Sequence, residues 1–433
     1  MVMAAEGAIG GMDTAALHRR LDALWRMESP KLLARLARIT GNIDIAEELA
    51  QDVLVTALER WPRDGMPDKP AAWLMQAAKH RGIDHVRQRQ LHARKQDEYG
   101  IELELHGADM QGDDAQRLAD DDIGDDLLRL LFAACHPVLP MESRVALTLR
   151  LLGGLTTGEI ARAFLQQEAT VAQRIVRAKR TLGEKQVAFE VPRKAELPER
   201  LEAVLEVVYL VFNEGYAATR GEDWMRPALC EEALRLGRVL AGLLANEPEV
   251  LGLLALMELQ ASRMSARTDA TGTPVLLAEQ NRARWDRLQI QRGLQALLRV
   301  QRLGGADGMY ALQAALAACH ARARRFEDTD WQAIASLYAR LMQVAPSPVV
   351  ELNRAVAVGR AQGPEAGLAI VDALADEPKL RDYAPLPAVR GDLLQQLGRL
   401  DEARRAFVSA AELTDNARER EVLQARAAAC STD

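Results

Sequence analysis

Apolar residues recur along this chain at intervals of three and four almost from end to end, and valine and isoleucine rarely alternate with polar neighbours. The first spacing puts apolar side chains on one face of a helix, whereas alternation would mark a strand, so the pattern predicts an all-α protein. Residues from Met12 to about Lys95 read as several helices, broken at Trp61–Pro70, where Pro62, Pro67 and Pro70 exclude a continuing helix. Gln96–Asp126 is acidic and short of large apolar residues, ending in Asp120, Asp121, Asp122, Asp125 and Asp126, the composition of a linker. A second helical run follows from Leu127 to Gln186, and Pro192 and Pro198 then punctuate the chain before a longer helical region. The expected organisation is two small modules, 12–95 and 127–190, joined by an acidic flexible linker, 96–126, and followed by a helical extension, 198–433.

The extension repeats itself. Ala366, Ile370 and Ala373 have the spacing of Ala403, Phe407 and Ala410, offset by 37 residues, close to the ~34 of a tetratricopeptide repeat. In the second copy Gly391 is expected to precede a helix, the turn Leu397–Glu402 follows, and small residues let the next helix pack closely. A tetratricopeptide-like helix pair and an ordinary antiparallel helical hairpin both fit this pattern.

With 433 residues the chain is too long for one compact core. Few aromatics and abundant Ala, Leu and Arg agree with the helical reading. A net charge of −7 excludes a protein coated in positive charge, so any contact with nucleic acid has to be local. Cys135, Cys230, Cys319 and Cys430 lie far apart with no C-x-x-C pair, which points to neither a disulfide framework nor a zinc site and fits a reducing cytoplasm. The first residues lack a basic stretch followed by an apolar core, and no apolar run approaches the ~20 residues of a membrane span.

Catalytic signatures are missing: there is no H-E-x-x-H, G-x-S-x-G, Walker loop or glycine-rich dinucleotide turn, so neither an enzyme nor a cofactor is expected. The offsets of His80, His85 and His92 do not stack all three on one helical face, and no metal is assigned to them. Cys135 and His136 resemble a nucleophile beside its base, but adjacent helical residues point apart and Pro137 marks a helix end.

The densest local signal is Leu155–Leu182. Thr156 or Thr157 can cap a helix whose Glu159 favours the positive end, with Ile160, Ala161 and Phe164 buried. After a connection around Gln166 and Gln167, a second helix turns Val171, Ile175, Ala178 and Leu182 inward. Thr170, Gln173, Arg174 and Arg177 project outward, joined by Lys179 and Arg180. This is the layout of a helix-turn-helix. Gln173, Arg174 and Thr170 would reach base edges, while Arg177 and Arg180 would neutralise phosphates. The same pattern also fits an amphipathic hairpin with a solvated arginine face.

Asp44–Val53 followed by Ala57 and Trp61, and Ala71–Leu74 leading into Lys79–Arg87, resemble region two of extracytoplasmic-function sigma factors of the sigma-70 superfamily. The helix-turn-helix resembles their region four. The resemblance covers about residues 12 to 190. It implies that Asp44, Glu47, Glu48, Gln51 and Asp52 dock on the clamp of the largest RNA polymerase subunit, with region four near the flap of the second-largest. It also implies that the loop Arg63–Pro70 captures a flipped base of the minus-ten element while Lys79, His80, Arg81, Arg87 and Arg89 track the strand. His80 stands where asparagine is common, and Trp61 and Trp73 either stack on bases or belong to the core. Thr170, Gln173, Arg174, Arg177 and Arg180 would then read the minus-thirty-five element. The linker would thread toward the active-site cleft or stay disordered.

Leu205–Ala218, Glu279–Asp286 and Glu351–Val358 resemble the sigma subgroup bearing a tetratricopeptide-like extension that controls activity, with a protein partner expected for it. Phe212–Tyr216 reads either as a helix end stopped by glycine or as a contact to the sigma modules. The resemblance predicts a cytoplasmic sigma factor without membrane attachment. The competing expectation is a one-component regulator whose helical repeats sense a signal and whose helix-turn-helix binds an operator.

Overall fold

The computed structural model describes residues 14–98, 123–193, 195–218 and 221–430. Residues 99–122, most of the expected linker, lie outside these, as do residues 12 and 13 and the last three of the extension. Helix makes up 75% of the structure with no strand among the described residues, which settles the all-α class. The chain forms two compact units, residues 1–162 with 166–207, and residues 163–165 with 208–433.

In the first unit, α1 (Thr14–Thr40), α2 (Ile43–Asp64) and α3 (Pro70–Glu98) pack around Leu21, Leu32, Leu36, Val53, Trp61, Leu74 and Ala78. Gly41, at φ +67°, makes the turn into α2, and Asn42 Oδ1 caps that helix by accepting from the Asp44 and Ile45 amides at 2.8 and 3.1 Å. The break expected at Trp61 comes later. Pro62 rides in the last turn of α2, and the stop is Gly65, at φ +82°, whose N–H donates to the Trp61 carbonyl. Proline sits first in α3, where the missing N–H costs nothing. At Gly82 a Cβ would lie 3.1 Å from Leu36 and 3.3 Å from Ile39, so α1 and α3 approach closely there.

The same unit contains α4 (Ile123–Ala134), α5 (Met141–Leu151), α6 (Thr157–Ala163), α7 (Glu168–Glu184) and the first half of α8 (Leu197–Tyr216). Cys135 follows α4 directly; it is buried beside Thr148 Oγ1 at 3.3 Å, and burial pushes its thiol up to about 12, so it is an inert helix end. In the first turn of α4, Asp126 is fully buried between two arginines of α1: Arg35 Nε is 2.6 Å away and Arg38 Nη1 donates at 2.9 Å. This triad fixes α4 on α1.

The second unit contains α9 (Pro227–Leu243), α10 (Pro248–Ala261), α11 (Arg287–Arg302), α12 (Met309–Arg322) and α13 (Trp331–Val344), then α14 (Pro348–Gln362), α15 (Pro364–Ala373), α16 (Pro385–Gln396), α17 (Leu400–Leu413) and α18 (Ala417–Ala429). α10 is apolar nearly all round and lies against α11 and α12, where Cβ atoms on Gly293 and Gly252 would come within 2.6 Å of Leu259 and 2.8 Å of the Ala311 backbone. The pairs α14/α15 and α16/α17 are helical hairpins. Their register differs from the expected one. Ala403, Phe407 and Ala410 are buried in α17, but in α15 the buried positions are Gly367, Leu368 and Val371, while Ala373 is exposed. Helical spacing alone tolerates a shift of one residue; burial aligns Val371 with Phe407, an offset of 36. Gly391 lies inside α16 rather than before it, and a Cβ there would meet the Phe407 ring at 2.8 Å.

Replacing Asp126 with alanine leaves two buried guanidinium groups without their carboxylate. The expected cost is about 3–5 kcal/mol, read as a fall in the first transition of chemical denaturation of the full chain. In the second unit burial, then the charges of Arg263 and Arg282, lower the pKa of His320 to about 4. The unfolded chain takes up a proton near pH 6.5 and the folded unit does not, so stability is complete above pH 6.5 and declines as pH falls to 4. The loss should reach up to about 3 kcal/mol, and His320→Gln should remove that slope from a pH series of thermal melts.

Candidate functional site

Two surfaces of the first unit carry the expected chemistry. On α2, Asp44, Glu47, Glu48, Gln51 and Asp52 lie opposite the buried row Ile43, Ala46, Ala50, Val53, Ala57 and Trp61, because steps of three and four residues return to one side of a helix. Asp44, Glu48, Gln51 and Asp52 are exposed, and Glu47 is half-buried. Sequence reasoning missed two members of this face. Val55 and Leu58 continue it, exposed at 49% and 38%, so the row is a mixed acidic and apolar surface. The available signal was two large apolar residues in phase with the carboxylates.

The minus-ten candidates do not form a single cluster. α3 spreads Lys79, His80, Arg81, Arg87 and Arg89 around its circumference; His80 and Arg87, seven residues apart, share a face. Arg81 turns to α2 instead, donating to Asp52 Oδ2 at 3.1 Å and to Thr56 Oγ1 at 2.8 Å. His80 is exposed, with its Nε2 2.7 Å from Gln76 Nε2. Beside the loop between α2 and α3 is an open recess of about 350 Å³, lined among others by Arg60, Asp64, Met66, Asp68 and the two tryptophans. Trp61 is core and Trp73 part-buried, their rings edge to face at 5.5 Å.

The helix-turn-helix is built by α6 and α7. Thr156 Oγ1 accepts from the Glu159 amide at 3.1 Å while Glu159 Oε2 accepts from the Thr156 amide at 2.8 Å, a reciprocal cap. The hydrogen bonds from Thr156, with Arg26 and Arg162 nearby, hold the Glu159 carboxyl below the usual range. Leu165 takes φ +49° in the turn, a left-handed conformation unusual for a branched residue. On α7, Val171, Ile175, Ala178 and Leu182 are all buried, and Thr170, Gln173, Arg177 and Arg180 are exposed. Arg174 is part-buried and donates to Gln166 Oε1 at 2.7 Å, and Arg180 pairs with Glu184 at 2.6 Å. Lys179, expected among the outward cations, instead reaches α2, donating to Asp44 Oδ1 at 2.9 Å and to Glu47.

In the second unit, residues of two of the sequence motifs take part in closing helix ends. Arg267 lies 3.6 Å from the Tyr216 ring centroid and donates to the Tyr216 carbonyl, the end of α8. Arg282 donates to the His320 and Ala323 carbonyls, closing α12, at 2.5 and 2.8 Å. These buried arginines sit at negative helix ends, so their role is to hold the extension together. No group of His, Cys, Asp and Glu able to hold a metal is found among the described residues, and none of their helices is long and apolar enough to cross a membrane.

Two helical modules in order, the second a helix-turn-helix, are followed by a larger helical part. Residues 24–92 match Sigma-70 region 2, residues 129–182 match Sigma-70, region 4, and residues 200–301 match a family of unknown function, DUF6596. An uncharacterized protein of Rhizobium meliloti (strain 1021) is 45% identical over 390 residues, 90% of this chain and 91% of that protein. The chain belongs to the sigma-70 superfamily, as an extracytoplasmic-function type member with a C-terminal extension.

Proposed function

We propose that the chain is a cytoplasmic, non-enzymatic sigma factor that binds the RNA polymerase core, opens promoter DNA and is modulated by its extension. The observation that carries this reading is the outward face of α2. Carboxylates at 44, 47, 48 and 52 with Gln51, Val55 and Leu58 make a docking row that an operator-binding regulator has no use for. This row engages the clamp of the largest subunit, and the region from 127 to 190 engages the flap of the second-largest and the minus-thirty-five duplex.

On α7, Gln173 and Arg174, with Thr170, read base edges, while Arg177 and Arg180 meet phosphates. Arg174 and Arg180 would trade their bonds to Gln166 and Glu184 for DNA. On α3, His80 and Arg87 face the single strand together, with Lys79 and Arg89 flanking, and the recess by Trp73 accepts a flipped base. Arg81 is the least suited of the five, since it is held against Asp52; its part is to orient α2 against α3. The module boundaries follow as 12–95, 96–126, 127–190 and 198–433. The extension is a tetratricopeptide-like module, supported by its two successive hairpins with small residues at the helix contacts, and it takes a protein partner.

Transcription in vitro with sigma-free core and purified chain should give promoter-dependent transcripts. Glu48→Arg combined with Val55→Asp should weaken binding to core at least about tenfold, or ~1.4 kcal/mol, while helix content stays unchanged. Undiminished recruitment, or no transcript from the wild-type chain, would overturn the sigma reading in favour of an operator-binding regulator. Arg174→Ala should cost about 1–3 kcal/mol of promoter affinity confined to one base pair, whereas an equal loss on all DNA would remove its readout role.

A further inference from the structure

Within the first unit, the helix meant for DNA and the helix meant for polymerase hold each other. Lys179 of α7 is part-buried, its side chain 12% exposed, and its ammonium lies between Asp44 and Glu47 of α2. Arg150, at the end of α5, adds a second cation 3.5 Å from Glu47. A third link joins Arg26 of α1 to Glu159 of α6 at 3.0 Å. These contacts use two of the five docking candidates, and they approach from the helix-turn-helix region, more than one hundred residues away in sequence.

We propose that Lys179 and Arg150 form an autoinhibitory latch, which occupies the N-terminal half of the polymerase-docking row in the free chain and is displaced when the core enzyme binds. The proposal rests on the docking role given above to α2. Basic groups of the clamp would need the same carboxylates that Lys179 and Arg150 neutralise, so the two cannot be satisfied at once.

The strength of the latch is graded along the row. Asp44 is 67% exposed and contributes little through water, whereas Glu47 at 20% and Lys179 at 12% are better shielded. Burial by itself would push Lys179 down, but its bonds to Glu47 and Asp44 outweigh that and leave it above its ordinary value. The ammonium therefore stays charged throughout the neutral range, and the pairing is lost only as pH rises past the usual lysine value. Added salt, more than pH, is the natural release. The buried Asp126 triad is separate from this contact and is not required to break when the row is uncovered.

A closed form lowers apparent affinity in proportion to the fraction that is open. Binding of core to full-length chain should therefore tighten by about three- to tenfold in Lys179→Ala/Arg150→Ala, and Lys179→Arg should behave as wild type. Independently, spin labels on Met27→Cys and Val176→Cys, both exposed and outside the docking row, in a Cys319→Ser background, should give a narrow distance distribution in the free chain. That distribution should broaden in Lys179→Ala/Arg150→Ala, in high salt, or on adding core. Unchanged affinity together with an unchanged distribution would overturn the latch, as would weaker binding by the double variant. If wild-type chain fails to bind core at all, the docking role of α2 falls, and the label distances then decide for or against the closed contact alone.

Discussion

A carboxylate sealed between two arginines organises the first unit. Asp126 has no access to water and faces Arg35 and Arg38, themselves nearly buried, so three charges are removed from solvent together. Desolvation raises the pKa of Asp126 although both arginines oppose it, showing that burial of the charge is the larger influence. Such a triad adds little net stability compared with apolar packing, because desolvation consumes most of the attraction. What it supplies is uniqueness: an apolar replacement could slide by a turn along α1, whereas a carboxylate has one position that satisfies both guanidinium groups. α4, and with it the origin of the helix-turn-helix, is set by that position.

The triad also shows how an acidic protein presents basic surfaces. The chain carries a net charge of −7, yet the outward side of α7 is cationic and the outward side of α2 anionic. Opposite surfaces within one compact unit attract each other, and the cations of α5 and α7 that find Glu47 and Asp44 are the consequence. Cations elsewhere on α7 are tied as well, the part-buried Arg174 to Gln166 and the exposed Arg180 to Glu184. Any group that takes up these side chains has first to displace the bonds they already make.

Where contacts are local, the amino-acid pattern was sufficient. Val171, Ile175, Ala178 and Leu182 are inward on α7 because nothing but helical periodicity decides it, and the Thr156–Glu159 cap is a four-residue affair. The α2 carboxylates share a side for the same reason. The differences from the sequence reading follow the range of the interaction. Lys179 lies on the flank of α7, and carboxylates 132 and 135 residues distant draw it to α2. Arg81 has the chemistry of a strand-tracking cation but is claimed by Asp52, 29 residues back. Pro62 looked like a stop, yet a proline in a final turn sacrifices a hydrogen bond without bending the chain away, and Gly65 ends the helix. In the extension the period was legible but its phase was not, since Gly367 and Ala366 are equally small and burial alone distinguishes them.

The arginine-rich motifs of the extension bear on how much of a family signature is architecture. Arg282 lies within one of these motifs and Arg267 outside them, with Trp285 and Tyr216 as their aromatic neighbours. In the folded unit their charges face the terminal carbonyls of α8 and α12, groups that no intrahelical donor can satisfy. Stacking on an aromatic ring desolvates a guanidinium at modest cost while its fork of donors remains available, which lysine could not reproduce. Two helix ends and two rings thereby absorb charges that would otherwise require buried acids. Arg267 and Arg282, with Tyr216 and Trp285, thus serve the integrity of the extension.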